Sequence, residues 1–305
     1  MELDLLPTDG VVAALLDNEA RVVPAVRAAT PALVAAAELI ATRLSAAGGL
    51  AAGTESGARL VLLGAGTSGR LAVLQAAELP GTFGLPVDRI VGRTAGGGSS
   101  GGPGTDYDED DADAGRRDLL ATGLRGNGVL VAVAASGRTP YTIAAALAAR
   151  ELGAAVVAVT ARTGSPLAEL ADVAVEIEVG PEVLRGSTRL TAGTAQKLAL
   201  DAITTAAMVR LGRVHGDVMV DVVPANAKLR DRSAGLVAGI AGCTEQQARD
   251  ALERCRWNAR AAVLTIVGDL APEAAVEAAA AHPTLRGALD AFAPRVAGER
   301  SGAAV

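Results

Sequence analysis

Two short strings in this chain join glycines to hydroxyl side chains in a spacing that suits an anion. Gly64-Ala65-Gly66-Thr67-Ser68-Gly69 follows the apolar run Leu60 to Leu63, and Ser136-Gly137-Arg138-Thr139 follows the apolar run Val129 to Ala134. Each reads as a strand end turning into a helix, where unpaired backbone amides and adjacent hydroxyls can grip a phosphate monoester. Gly66, Thr67 and Ser68 in the first turn, and Ser136, Gly137 and Thr139 in the second, are the candidate phosphate ligands. Two such turns at the carboxyl ends of parallel strands can meet over one crevice. A tight turn that holds no ligand is the alternative.

The first string also spells G-x-G-x-x-G, the spacing of a dinucleotide fingerprint. That reading needs an acid about 20 residues on, at the end of the next strand, to bind ribose hydroxyls. Asp88 comes before that strand, and the strand runs out into Thr94-Ala95-Gly96 with no acid at its end. A smaller anion fits better.

The acids stand elsewhere. Glu78 sits at the end of the helix that the first turn opens, and Glu109 lies among Asp106, Asp108, Asp110, Asp111 and Asp113. Alone, such a run reads as a solvated face. It is not an EF-hand loop, since Asp111 stands where glycine is required and Arg117 stands at the twelfth position. His215 and His282, the only histidines, have neither ligand-spaced companions nor a G-x-S-x-G serine to activate, so surface or structural roles are expected. Lys197 and Arg189 could reach an anion or simply lie on a helix surface. Cys243 and Cys255 do not share a helix face and have no C-x-x-C partner, so both read as reduced thiols.

The elements that must position these residues follow a βαβ rhythm. Strands are expected at 59–63, 88–93, 128–135 and 154–160, with helices at 68–79 and 139–151 and a short one opened by Ser165-Pro166. Asp172 to Gly180 alternates apolar residues with Glu176 and Glu178 and reads as a strand near a sheet edge. A helix at about 190–211 closes this core, and an Ala-rich helical pair at 10–23 and 31–47 precedes it, before a break at 48–58. The expectation is an α/β fold, a parallel sheet with helices on both faces. The domains expected are an amino-terminal helical segment, 1–47, the α/β core that carries both anion turns, 48–232, and a small helical module, 233–305. In the last, Thr244 and Gln247 make a capping-box pattern.

Composition narrows the partners. Half of the 305 residues are hydrophobic but only 2% are aromatic, so the core must be built from Ala, Val and Leu. A net charge of -6 and so few rings argue against nucleic acid. The acidic amino terminus is not a secretory signal, and no apolar stretch approaches the ~20 residues of a membrane helix. A cytoplasmic protein acting on a small molecule is expected.

The strings "GAGTSGR" and "AASGRTPY" resemble the sugar-phosphate-binding turns of sugar isomerase (SIS) domains. With "GSTRLTAGTAQK" and "HGDVMVDVVPANAKL", they resemble the N-acetylmuramic acid 6-phosphate etherase family over most of the chain. Leu190-Thr191 replaces a Met-Lys usual in that family, and Ala77 to Gly81 replaces its Ser-Glu-Cys-Pro-Pro. The resemblance implies an SIS fold and cleavage of the D-lactyl ether of a phosphorylated amino sugar by elimination and then hydration. It implies Glu78 as proton donor and Glu109 as base, with no metal or organic cofactor. A homodimer is expected, because SIS domains commonly complete their crevice with a neighbouring subunit. The same turns also occur in non-catalytic sugar-phosphate regulators and in phosphosugar isomerases, which stand as the other two readings.

Overall fold

A computed structural model describes residues 2–46, 57–97 and 106–292. The boundary at 47, most of the break at 48–58 and most of the glycine-rich loop after the second strand lie outside these residues. The described chain forms two compact units. One comprises the residues up to Pro80 with Leu85–Arg210, and the other comprises Gly81–Gly84 with the chain from Leu211.

The first unit opens with α1 (Thr8–Glu19), α2 (Val22–Ala28) and α3 (Thr30–Ala46). The expected helical pair is thus three helices. Pro24 explains the extra break, because a proline is tolerated in a first turn but not in a helix interior. Then follow β1 (Leu60–Gly64), α4 (Gly66–Phe83), β2 (Ile90–Thr94), α5 (Ala112–Ala121), β3 (Val129–Val133), α6 (Pro140–Glu151), β4 (Ala155–Thr160), α7 (Pro166–Glu169), β5 (Val173–Glu176) and α8 (Thr191–Arg210). Helix α4 is longer than the expected 68–79 and runs through Pro80. Burial of Leu79 and Phe83 on either side of that proline holds the helix together across the lost amide. Helix α5 replaces part of what reads in sequence as an acidic loop. Asp111 starts it, accepting from the Ala114 amide at 2.8 Å.

The five strands are all parallel, in the order β2-β1-β3-β4-β5. Strands β1, β3 and β4 are buried at every position, which is why they read as continuous apolar runs. Their residues still alternate. Val61, Leu63, Leu130, Ala132, Val156 and Ala158 join one cluster with α5 and α6 through Leu119, Tyr141 and Ala145. Helix α8, with α3 packed along it, serves the other face. Strand β5 is an edge strand, as its alternation implies, and Glu176 and Glu178 accept from the Gly164 amide and the Thr163 hydroxyl.

The second unit carries a short hairpin, β6 (Val214–His215) with β7 (Val218–Met219), and helices α9 (Ala227–Ala241), α10 (Glu245–Arg254), α11 (Ala259–Val267), α12 (Pro272–Ala281) and α13 (Leu285–Phe292). The Thr244–Gln247 capping box is formed in both directions. Alanines and Val237, Leu252, Val263 and Leu264 make the core. Cys255 is buried, Cys243 is partly buried, and both are free thiols. The polar centre of this unit is Arg260, which donates to the carbonyls of Gly212 (2.6 Å) and Pro283 (3.1 Å) and to Asp221 (2.7 Å). Asp221 also takes Arg213, at 3.2 Å. Asp221→Ala would leave Arg260 buried without its counter-charge. A loss of about 2 kcal/mol is expected, below the ~3–5 kcal/mol of a fully enclosed pair because Arg213 can still reach water. Chemical denaturation checks it, and an unchanged midpoint would show that the pair contributes nothing.

His215 lies in the hairpin, where burial first and the charge of Arg286 second lower its pKa below the ordinary histidine value. It is kept neutral. His282 ends α12, with Nδ1 2.9 Å from the Ala278 carbonyl and its ring edge-on to Phe292.

Candidate active site

The sheet order places the site. From β1 the chain steps to β2 on one side, then returns to lay β3 on the other. In such doubly wound sheets a crevice opens beyond the strand ends where the order reverses. Gly64 pairs in register with Val133, so the two hydroxyl-bearing turns begin side by side at that point.

In the first turn, Gly66 has φ +53° and opens α4. Gly69 makes the first amide-to-carbonyl bond of the helix, to Ala65 at 3.0 Å. The amides of Gly66, Thr67 and Ser68 therefore belong to the end of the helix that has no intrahelical acceptors and attracts anions. A β-carbon on Gly66 would lie 2.6 Å from the Oε1 of Glu109. The Glu109 carboxylate is thus seated on the turn. The acidic run consequently divides its work: Asp111 caps α5, and Glu109 is half-buried against Gly66. Ser68 is buried, and its hydroxyl donates to Gln196 Oε1 on α8 at 2.9 Å.

In the second turn, Gly137 has φ +62° and lies so close to the cap of α7 that a β-carbon there would meet the Ser165 hydroxyl at 2.1 Å. Only glycine fits. Ser136 accepts from the Arg138 amide at 3.2 Å, which leaves its own hydroxyl hydrogen to give. Thr139 precedes α6, and its side chain makes no cap hydrogen bond. Behind it, Tyr141 is fully buried and donates to Asp118 at 2.8 Å. Burial, followed by that bond and the charge of Asp118, pushes its pKa far up, so it stays protonated and structural.

A third helix start lies beside the first turn, since a β-carbon on Gly193 of α8 would be 3.5 Å from the Thr67 methyl. Two of its amides are already satisfied. Glu182 accepts from the Thr191 amide (3.0 Å), the Thr191 hydroxyl (2.6 Å) and the Ala192 amide (3.0 Å). At the start of α4 the nearest carboxylate is that of Glu109. Nothing in the sequence marks Glu182 for this task, because it reaches α8 across a loop. Gln196 is equally silent, standing next to Lys197 in a string whose cation draws attention first.

Glu78 is not at this turn. It lies twelve residues beyond Gly66, about 18 Å along α4 at ~1.5 Å per residue. Its side chain is 53% exposed, with the Lys197 ammonium 3.7 Å away. The residue stands on an outer face of α4. Lys197 is held by Asp201 at 2.5 Å and so serves a charge cluster between α4 and α8 rather than the anion turns. Arg189 is exposed.

Comparison with known proteins decides the family. An SIS domain model matches residues 113–206, and a model of the glucokinase regulatory protein N-terminal SIS domain matches residues 44–150. An N-acetylmuramic acid 6-phosphate etherase of Mesorhizobium japonicum is 42% identical over 275 residues, covering 90% of this chain and 86% of the relative. One of Rubrobacter xylanophilus is 43% identical, covering 90% and 88%. The chain belongs to the N-acetylmuramic acid 6-phosphate etherase family. Among solved structures, a putative phosphosugar isomerase from Bacteroides fragilis matches 69% of this chain and 98% of its own, at 24% identity and a TM-score of 0.49. Family membership fits the SIS-type sheet, with its two helix starts at the switch point. No single helix among the described residues is long and apolar enough to cross a membrane.

Proposed function

We propose that this protein cleaves the D-lactyl ether of N-acetylmuramic acid 6-phosphate to give N-acetylglucosamine 6-phosphate and D-lactate, a step in recycling cell-wall sugars. The observation that carries the reading is the seat of the Glu109 carboxylate on the Gly66 turn, beside two helix starts equipped to hold the phosphate. In the ring-opened sugar the carbon-1 aldehyde acidifies the proton on carbon 2. A carboxylate removes that proton, the electron pair forms a carbon 2–carbon 3 double bond, and the carbon 3–oxygen bond breaks. The departing lactate oxygen takes a proton from an acid. Water then adds its oxygen to carbon 3, and carbon 2 regains a proton, so one water is consumed overall. The chemistry needs two positioned acid/base groups and a phosphate grip. Incubation with the substrate and an assay for D-lactate tests the reading. Interconversion of phosphosugars without lactate would point instead to an isomerase.

For the phosphate, Ser136 and Thr139 supply hydroxyls on one side and Thr67 and Ser68 on the other, with the amides of Gly66 and Gly137 between them. A hydrogen bond to a charged group contributes ~1.5–3 kcal/mol, so Ser136→Ala should weaken phosphosugar binding about ten- to a hundredfold. Calorimetric titration with N-acetylglucosamine 6-phosphate measures it, and unchanged affinity would remove Ser136 from the grip.

The reading extends to a cytoplasmic homodimer in which each site uses two chains. Acid and base must each come within ~3 Å of atoms on neighbouring carbons. Glu109 at the start of α4 and Glu78 about 18 Å along it cannot do this in one chain. The exposed Glu78 is supplied to the crevice of a second copy, which also covers it and supports the protonated state that a donor requires.

A further inference from the structure

We infer that Gln196 is a positioning residue that sets the direction of the Ser68 hydroxyl and turns its amide when a phosphate binds. The inference rests on the phosphate site proposed above. Ser68 has one hydroxyl hydrogen, and here it goes to Gln196 Oε1 at 2.9 Å. A phosphate dianion only accepts, so Ser68 cannot serve it while that bond stands. The other half of the amide is the telling feature. Gln196 is 1% exposed, and its Nε2 finds no acceptor among the described residues. Two buried donors without a partner are a costly arrangement.

A half-turn of the amide frees the Ser68 hydrogen and pairs one of the two donors. It fills the same volume, because the two ends of the group are nearly the same size. Nε2 then donates one of its two hydrogens to Ser68 Oγ, the Ser68 hydrogen is released toward the phosphate, and one N–H and a carbonyl oxygen stand unmet in place of two N–H groups. An unmet carbonyl is the more tolerable of the two. With no phosphate there is no acceptor for the released hydrogen, and the arrangement seen here returns. Helix α8 holds Gln196 in reach, since Gly193 one turn earlier packs beside Thr67.

The test is a double-mutant cycle on binding of N-acetylglucosamine 6-phosphate, with thermal melting of every variant in parallel. Gln196→Glu can only accept from Ser68 and adds a negative charge, so affinity should fall ~100-fold. Gln196→Met keeps the volume without the hydrogen bonds, and should cost ~5- to 10-fold while leaving the melting temperature within a few degrees. In a Ser68→Ala background Gln196→Met should change affinity less than twofold, because its effect passes through Ser68. Two results would overturn the inference while leaving the phosphate site intact: unchanged affinity in both Gln196 variants, or losses that add in full in the Ser68→Ala background. Wild-type protein that fails to bind the sugar phosphate would overturn the site itself, and the inference with it.

Discussion

Glu109→Gln is expected to abolish both lactate release and exchange of the carbon-2 hydrogen in deuterated water. Its carboxylate is the one seated on the phosphate turn, and a neutral amide of the same shape cannot take the proton. A positioned base contributes ~10²- to 10⁴-fold, and the fall in kcat should lie in that range with phosphosugar affinity largely kept. The control is Glu78→Gln, which should stop lactate release while carbon-2 exchange survives, because the donor acts on the leaving oxygen and not on carbon 2. Exchange followed by proton resonance reports abstraction separately from loss of lactate. Lactate release at the parent rate in Glu109→Gln would move the base elsewhere in the run, with Asp108 the next residue to change.

Mixing those two inactive variants should restore activity. If each crevice takes Glu109 from one chain and Glu78 from another, random re-pairing of equal amounts makes half of the dimers mixed, each with one intact site. Activity should then return to about a quarter of the wild-type level. The geometry sets this prediction apart from a site built within one chain. Twelve helical residues separate Gly66 from Glu78, and no rotamer closes about 18 Å. Without exchange of subunits the mixture would stay inactive, so it is refolded together from denaturant. A mixture that remains inactive, from variants that each form dimers, would show that both acids act within one chain. A monomer of 30.3 kDa with full activity would do the same.

Much of this molecule is legible in its sequence because the signals are local. Short unbroken apolar runs such as Leu60 to Leu63 and Val129 to Ala134, bounded by turn residues, read as strands covered on both faces, and glycines and hydroxyls at their ends mark turns into helices. The capping box at Thr244 and the edge strand at Val173 follow from a few neighbouring residues in the same way. Chemistry that depends on type and spacing within one turn, as at Ser136-Gly137-Arg138-Thr139, is equally visible.

What the sequence leaves open is every relation between residues far apart in the chain. Helix α4 passes through Pro80 because burial of Leu79 and Phe83 outweighs the proline penalty, a balance that no local rule states. Glu78 stands in an Ala-rich stretch, yet it projects from α4 into solvent beside Lys197, because the side of a helix that is covered depends on what packs there. Glu109 reads in sequence as one acid among many. Only the fold seats it on Gly66, 43 residues earlier, by turning Asp111 into the cap of α5. Gln196 and Glu182 are silent for the same reason: hydrogen bonds and charges act over a few ångströms, and which groups come within that range is decided by the tertiary packing of α8 against the first turn.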